Sequence, residues 1–269
     1  KVHPFQLFFL LHPLFFAIVF GAMGTVRYNK EQKIAELDKL KSAFLSMVSH
    51  ELRTPLTTIQ GYISYLGTEK LGSLNTRQKE CLEISEETAD ALNRLIEELL
   101  DLSRIEAGEF KVKLAGVDMT EIISKAITSL KFFADEQGVV LENNLPKELP
   151  LARADKERIM QVVTNLLENA IKFNQEGGKV TINADFSAAN DREIFSVSDT
   201  GIGIPQDSLD KVFDRFYQVD SSGKRRYGGC GLGLNISKNI IKLHQGKIWA
   251  ESKIGIGSKF FFEIPMYKG

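Results

Sequence analysis

"DKERIMQVVTNLLENAIKFN", Asp155–Asn174, is the stretch on which the reading of this chain turns. At about 3.6 residues per turn, Ile159, Val162, Val163, Leu166 and Ala170 share one side of a helix and predict a buried face. Asp155 is a good N-cap for it. Gln161, Asn165, Asn169 and Lys172 line up on another face. Asparagine costs helix stability against Glu, Lys or Gln, so two of them one turn apart suit a merely solvated face poorly. A carboxamide oxygen suits a hard Mg2+ ion that keeps several waters and bridges phosphates. Lys172 adds a cation for phosphate oxygens.

Working outward, "SDTGIGIP" (Ser198–Pro205) follows a strand-like run. Asp199 at that strand end can accept from an adenine amino group, and Gly201 and Gly203 let backbone approach a ring closely. Taken alone, the motif fits a plain turn equally well. "YGGCGLGLNISKNII" (Tyr227–Ile241) is a glycine-rich turn opening a helix, an anion site by its free N–H groups and dipole. Lys224, Arg225 and Arg226 precede that turn, either to reach terminal phosphates or as part of a solvated loop. There is no G-x-x-x-x-G-K-[ST], and these glycines do not form a dinucleotide fingerprint. Strand-like runs ("FKVKL", "VVLENN", "KVTINADF", "EIFSVSD", "KIWAES", "SKFFFEI") alternate with helices starting near Met119, Asp155 and Gly233. They predict an α+β domain with one sheet layered on helices. Pro205–Gly231 reads as a loop over the site, with a helical piece around Asp207–Val212.

The 269 residues suffice for about two domains, and 34 Lys+Arg against 35 Asp+Glu give no electrostatic sign of a nucleic-acid partner. Cys81 and Cys230 lie far apart without metal-ligand spacing, which fits a reducing compartment rather than a disulfide scaffold. Phe5–Val26 contains no charged residue. As a helix it would span about 33 Å, enough for a bilayer core of about 30 Å. Arg27, Lys30 and Lys33 follow as on a cytoplasmic flank. A membrane span is expected over a signal peptide or a buried core helix. The chain opens on Lys1 rather than Met, which leaves a sensor domain upstream open.

Two helical patterns lie between. Ile34, Leu37, Phe44, Val48, Leu52, Ile59, Tyr62 and Leu66 recur over Lys30–Leu66. Cys81, Ile84, Thr88, Leu92, Leu95, Leu99, Leu102 and Ile105 recur over Thr76–Ala107, which Gly108 ends. Two such helices with narrow stripes predict a dimer forming a four-helix bundle. On a wheel the first stripe centres roughly 160° from His50, so His50 faces water. Glu51 can fix its tautomer and take up its proton. Thr54 lies one turn on, and Pro55 cannot donate to the Glu51 carbonyl and should bend the helix there.

In this order, the pieces resemble the sensor histidine kinases of two-component signalling, over nearly everything after Lys30. "SHELRTPL" resembles the phospho-acceptor box, which implies His50 as the phosphorylated residue, Glu51 as acid/base and Thr54 as the dephosphorylating residue. "NLLENAIKF" resembles the asparagine box, implying Asn169 as Mg2+ ligand, Asn165 and Lys172 on phosphates and Phe173 beside the adenine. "DTGIGI" is similar to the first glycine box, with Asp199 as adenine reader and Gly201 and Gly203 beside it. "FDRFYQVD" is similar to the phenylalanine box, anchored by Phe213 and Phe216. "GGCGLGL", with Gly229, Gly231, Leu232 and Gly233, resembles the second glycine box, and Gly255 with Gly257 a fainter third. The family often has Thr where Cys230 stands, and a thiol is a weak donor.

The apolar run and the resemblance together predict three regions: a transmembrane helix (1–27), from the apolar run, then a dimerisation and phosphotransfer hairpin (28–110) and an ATP-binding two-layer α+β sandwich (111–269), from the resemblance. It implies a homodimer at the inner (cytoplasmic) membrane, kinase domains in the cytoplasm, using ATP and Mg2+. His50 would pass its phosphoryl group to an aspartate of a separate response-regulator receiver, and the protein would also dephosphorylate that partner. The alternatives are a phosphatase-dominant protein, a non-catalytic nucleotide-binding dimer module, or a chaperone-like ATPase that gives the histidine helix no task.

Overall fold

The computed structural model describes residues 40, 43–45, 47–187, 190–219 and 230–268. The expected membrane span over Phe5–Val26 lies outside them; among the described residues no helix is long and apolar enough to cross a membrane. The chain divides into two units, one running to Ile96 and including Glu106–Glu109, the other holding Glu97–Ile105 and everything from Phe110 on.

The first unit is a helical hairpin. Helix α1 (47–67) runs through Pro55 without a break. Around that proline, Thr54, Thr57 and Thr58 each donate a hydroxyl to the carbonyl four residues back, which tends to bend a helix. After a turn at Thr68–Gly72, α2 (Thr76–Glu106) begins. Its start is a reciprocal cap: Gln78 N donates to Asn75 Oδ1, and Asn75 N to Gln78 Oε1, both 2.9 Å. Gly108, at φ +69°, ends it in the left-handed conformation expected. Within the hairpin the closed seam is small: Leu56, Ala89 and Ile96, with Ile63 packed against them. The expected stripe residues Phe44, Leu52, Ile59, Tyr62, Ile84, Leu92 and Leu95 stay exposed in the single chain.

The second unit is a sheet with helices. Short strands β1 (Ala115–Val117) and β3 (Ala152–Ala154) pair antiparallel. A five-stranded sheet has the order β2-β4-β5-β7-β6, built from β2 (Val140–Asn144), β4 (Lys179–Ser187), β5 (Arg192–Asp199), β6 (Lys247–Lys253) and β7 (Gly257–Pro265). Only β2–β4 is parallel. Helices α3 (Met119–Glu136), α4 (Lys156–Lys172) and α5 (Gly233–Leu243) form the second layer. Met119, Ile122, Ile159, Leu166 and Ile240 meet Phe195 and Phe262 of the sheet in one core, and those two rings stack at 5.0 Å. The α+β sandwich expected from the sequence is the fold observed.

"FKVKL" is not a strand. Its backbone finds no ladder, and Lys113 N donates instead to Asp155 Oδ2 at 2.7 Å. The helical piece after Pro205 is two 3₁₀ turns, Gln206–Ser208 and Lys211–Phe213. Asp155 is a junction the pattern did not reveal. Its Oδ1 caps α4 at Glu157 N and Arg158 N, and its N–H donates to His244 Nε2 at 2.9 Å. His244, nearly sealed, is held in the Nδ1–H tautomer by the Ile240 carbonyl, and burial lowers its pKa. Near the start of β5, Glu193 is wholly buried, and neither carboxylate oxygen meets a donor among the described residues. Burial, and then the charge of Asp118, push its pKa up to about 7.

Candidate functional site

Two candidate sites lie in the two units. On α1, His50 is 77% and Glu51 78% exposed, with Nδ1 and Oε1 3.9 Å apart. That gap exceeds a hydrogen bond, yet both side chains are free in water to close it by small rotations. The carboxylate lies on the Nδ1 side, which leaves Nε2 as the nitrogen with an open approach. Thr54 Oγ1, predicted beside the histidine, donates to the His50 carbonyl at 3.3 Å.

In the second unit the asparagine face of α4 splits in two. Gln161 leaves the predicted row: its amide donates to Asp101 Oδ2 at 2.8 Å. Arg158 donates to the same carboxylate at 3.2 Å, and its guanidinium stacks 4.3 Å from the Phe110 ring centroid. Sequence periodicity cannot find such a partner, because Asp101 is far away in the chain. Asn165 and Asn169 stay together, Asn169 Nδ2 donating to Asn165 Oδ1 at 3.4 Å. Asn165 Nδ2 donates to the hydroxyl of Ser237, a residue the pattern did not single out, at 2.9 Å. Lys172 lies with its ammonium 5.5 Å from the Phe173 ring centroid.

Asp199 ends β5 half-buried. Its Oδ1 accepts from Gly201 N at 2.8 Å and Ser258 N at 3.1 Å. Both donors sit on one oxygen, so Oδ2 remains to accept from a ligand amino group. Burial raises its pKa against the pull of those two bonds. A methyl group on Gly201 would collide with the Phe173 carbonyl, which explains the glycine by close approach. That carbonyl accepts from Ile202 N at 3.2 Å, joining the end of α4 to the Asp199 turn. Gly203 packs on the Lys253 backbone instead.

The glycine turn closes the circle. A Cβ on Gly233 would strike Asn165 Oδ1, so the start of α5 abuts the asparagine pair. Leu232 is buried in the core and Gly231 accepts from Phe216 N at 3.1 Å. Phe213 is in the core, while Phe216 is exposed. Cys230 points its thiol to Glu98 Oε2 at 2.9 Å, and burial, then Glu98, push it up to about 12. The thiol is therefore an inert packing group. Gly229, Arg225 and the neighbouring Lys224 and Arg226 lie outside the described residues.

The arrangement fits a nucleotide with a divalent cation. Asn169 presents a carbonyl oxygen to which no described group donates, beside a helix N-terminus suited to phosphates. One neutral oxygen is what a Mg2+ ion needs when water and phosphates fill its other positions. No group of three His, Cys, Asp or Glu among the described residues offers a rival metal centre.

Residues 40–108 match the His Kinase A (phospho-acceptor) domain, and residues 154–268 the histidine kinase-, DNA gyrase B- and HSP90-like ATPase family. The chain is 39% identical to the circadian input-output histidine kinase CikA of Synechococcus elongatus, over 84% of this chain and 30% of that one. The crystal structure of full-length ShkA in complex with AMPPNP superposes with a TM-score of 0.70 at 30% identity, covering 84% of this chain and 46% of ShkA. The catalytic domain of histidine kinase ThkA, nucleotide-free, gives a TM-score of 0.50 at 30% identity, covering 58% of this chain and 97% of the domain. The chain spans about a third of the length of the curated relatives it matches.

Proposed function

Since the chain belongs to the sensor histidine kinase family, we propose that it transfers the γ-phosphoryl group of Mg-ATP to His50 and then to an aspartate of a response-regulator receiver domain. The observation that carries this reading is an imidazole exposed on a helix beside a carboxylate, in a chain that also holds a carboxamide pair against a glycine-opened helix.

His50 Nε2 attacks the γ-phosphorus, and the bond from that phosphorus to the bridging oxygen breaks, leaving ADP. The Nδ1 proton passes to Glu51, whose carboxylate faces that nitrogen. Asp199 Oδ2 accepts from the adenine amino group, and the Phe173 ring flanks the base. Asn165, Lys172 and the N–H groups at Gly231–Gly233 hold phosphate oxygens, and Asn169 holds the cation through its oxygen. When bound, Mg2+ neutralises charge on the phosphates as it shifts toward ADP.

The exposed apolar face of the hairpin supports a homodimer. Large apolar patches rimmed by polar groups mark interaction sites, and a second hairpin completes a four-helix core. The uncharged run Phe5–Val26 supports an anchor in the cytoplasmic membrane, with the domain limits 1–27, 28–110 and 111–269. Incubation with γ-labelled ATP tests the activity. Label that is stable in base and lost in acid, the signature of phosphohistidine, is expected; acid-stable label, or none, contradicts it.

A further inference from the structure

Asn169 can serve a cation only if its carboxamide turns the oxygen outward. The two ends of an amide are nearly the same size, so shape does not choose between them; hydrogen bonds do. In this chain the bonds form a short relay from α5 to α4. The Ser237 hydroxyl, 2% exposed, accepts from Asn165 Nδ2 at 2.9 Å. Asn165 Oδ1 then accepts from Asn169 Nδ2 at 3.4 Å. With its nitrogen engaged, Asn169 has its oxygen left for the cation.

We infer that Ser237 is a positioning residue for the metal: its hydroxyl fixes the Asn165 carboxamide and, through it, turns the Asn169 oxygen outward. This rests on the reading of Asn169 as the Mg2+ ligand. Helix α5 supplies two features on the side facing α4. Gly233 leaves the notch that Asn165 Oδ1 fills, and Ser237, one turn on, supplies the anchor for the other end of the same amide. Without the hydroxyl, Asn165 Nδ2 loses its only described partner and the amide is free to reverse. A reversed Asn165 aims its nitrogen at Asn169, which answers by turning its own oxygen inward. The cation then meets an amide N–H2 and is repelled. A group that orients a ligand from behind typically changes metal affinity by about 10–100-fold when removed.

The test is the affinity of the full chain for ATP, measured with Mg2+ and with a chelator, for wild type, Ser237→Thr and Ser237→Val. Threonine and valine share a shape and differ by the hydroxyl, so any packing cost is common to both. Ser237→Ala is the second variant should the larger side chains prevent folding, checked by melting temperature. Mg2+ is expected to tighten ATP binding in wild type and Ser237→Thr. Ser237→Val or Ser237→Ala should lose about tenfold or more of that gain, beyond any fall in Mg2+-free binding that the disturbed Asn165 contact to phosphate causes. A full Mg2+ gain in these variants overturns the inference, as does an equal loss with and without Mg2+, which marks a purely structural role. No Mg2+ gain in wild type itself would instead remove the Asn169 reading and this inference with it.

Discussion

The hairpin and the sandwich use their large apolar side chains in opposite ways. In the sandwich Phe195, Phe262, Ile122, Leu166 and Ile240 are almost wholly sealed. In the hairpin Phe44, Met47, Ile59, Tyr62 and Ile84 stand in water, and the closed cluster between its helices is Leu56, Ala89 and Ile96, with Ile63 packed against it, among the described residues. Burial stabilises by roughly 25 cal/mol per Å2 of apolar surface, so the sandwich completes its core alone and the hairpin does not. The difference teaches where each unit gets its stability. The nucleotide unit carries a finished core, and the histidine unit leaves an apolar face that the proposed second copy would cover. Charged and polar groups follow the same division. Asp199 and the asparagine pair are half-buried and hydrogen-bonded, suited to holding a ligand still. His50 and Glu51 are exposed, suited to being reached in turn by the nucleotide and the receiver of the proposed reaction.

The contrast breaks most directly on the hairpin. Ile59→Glu with Leu92→Glu places charges on the exposed face without touching the seam. The dimer dissociation constant is expected to rise by about 100-fold or more, as when interface anchors are lost. ATP affinity should stay within about twofold of wild type. Sedimentation and nucleotide titration read the two numbers. An unchanged dimer would show that these side chains serve another purpose.

A smaller effect sharpens the other side, the sandwich and its sealed acid Glu193. Glu193 is sealed, with no hydrogen-bond partner among the described residues, and burial pushes its pKa up to about 7 from an ordinary 4.5. In that interval the folded chain binds a proton that the unfolded chain has released. Stability contributed by the neutral acid is therefore full below pH 4.5 and is lost as pH rises through about 7. The swing is on the order of 3 kcal/mol. Glu193→Gln should flatten this part of the stability profile and raise the melting temperature at pH above about 7 relative to wild type. A wild-type profile with no decline over that range, or a variant that keeps the decline, shows that the carboxyl finds a partner.

Much of this was legible in the chain. The buried face of α4 was read correctly because a helix in a finished core shows its whole apolar side in one period, and every residue named for it is buried. The stripe on the hairpin was equally visible, but periodicity says which residues are apolar and not which chain covers them. Leu92 and Leu95 were read as the stripe, and the closed seam uses Ala89 and Ile96. "FKVKL" alternates like a strand, yet a strand exists only where a neighbour offers a ladder. The three-residue pair β1–β3 is too short to leave a pattern. Gln161, Ser237 and His244 took their roles from partners distant in sequence. For Ser237 a signal existed, its place one turn after Gly233 on the face toward α4. For Asp101 and Arg158 none did.

The most direct test compares wild type with His50→Gln in parallel assays of ATP binding and of incorporation from γ-labelled ATP. The imidazole is largely exposed, so the variant should fold and bind ATP as wild type does. The account predicts that it takes up no acid-labile phosphate at all. Acid-labile label persisting on the variant would place the nucleophile elsewhere and contradict the central claim.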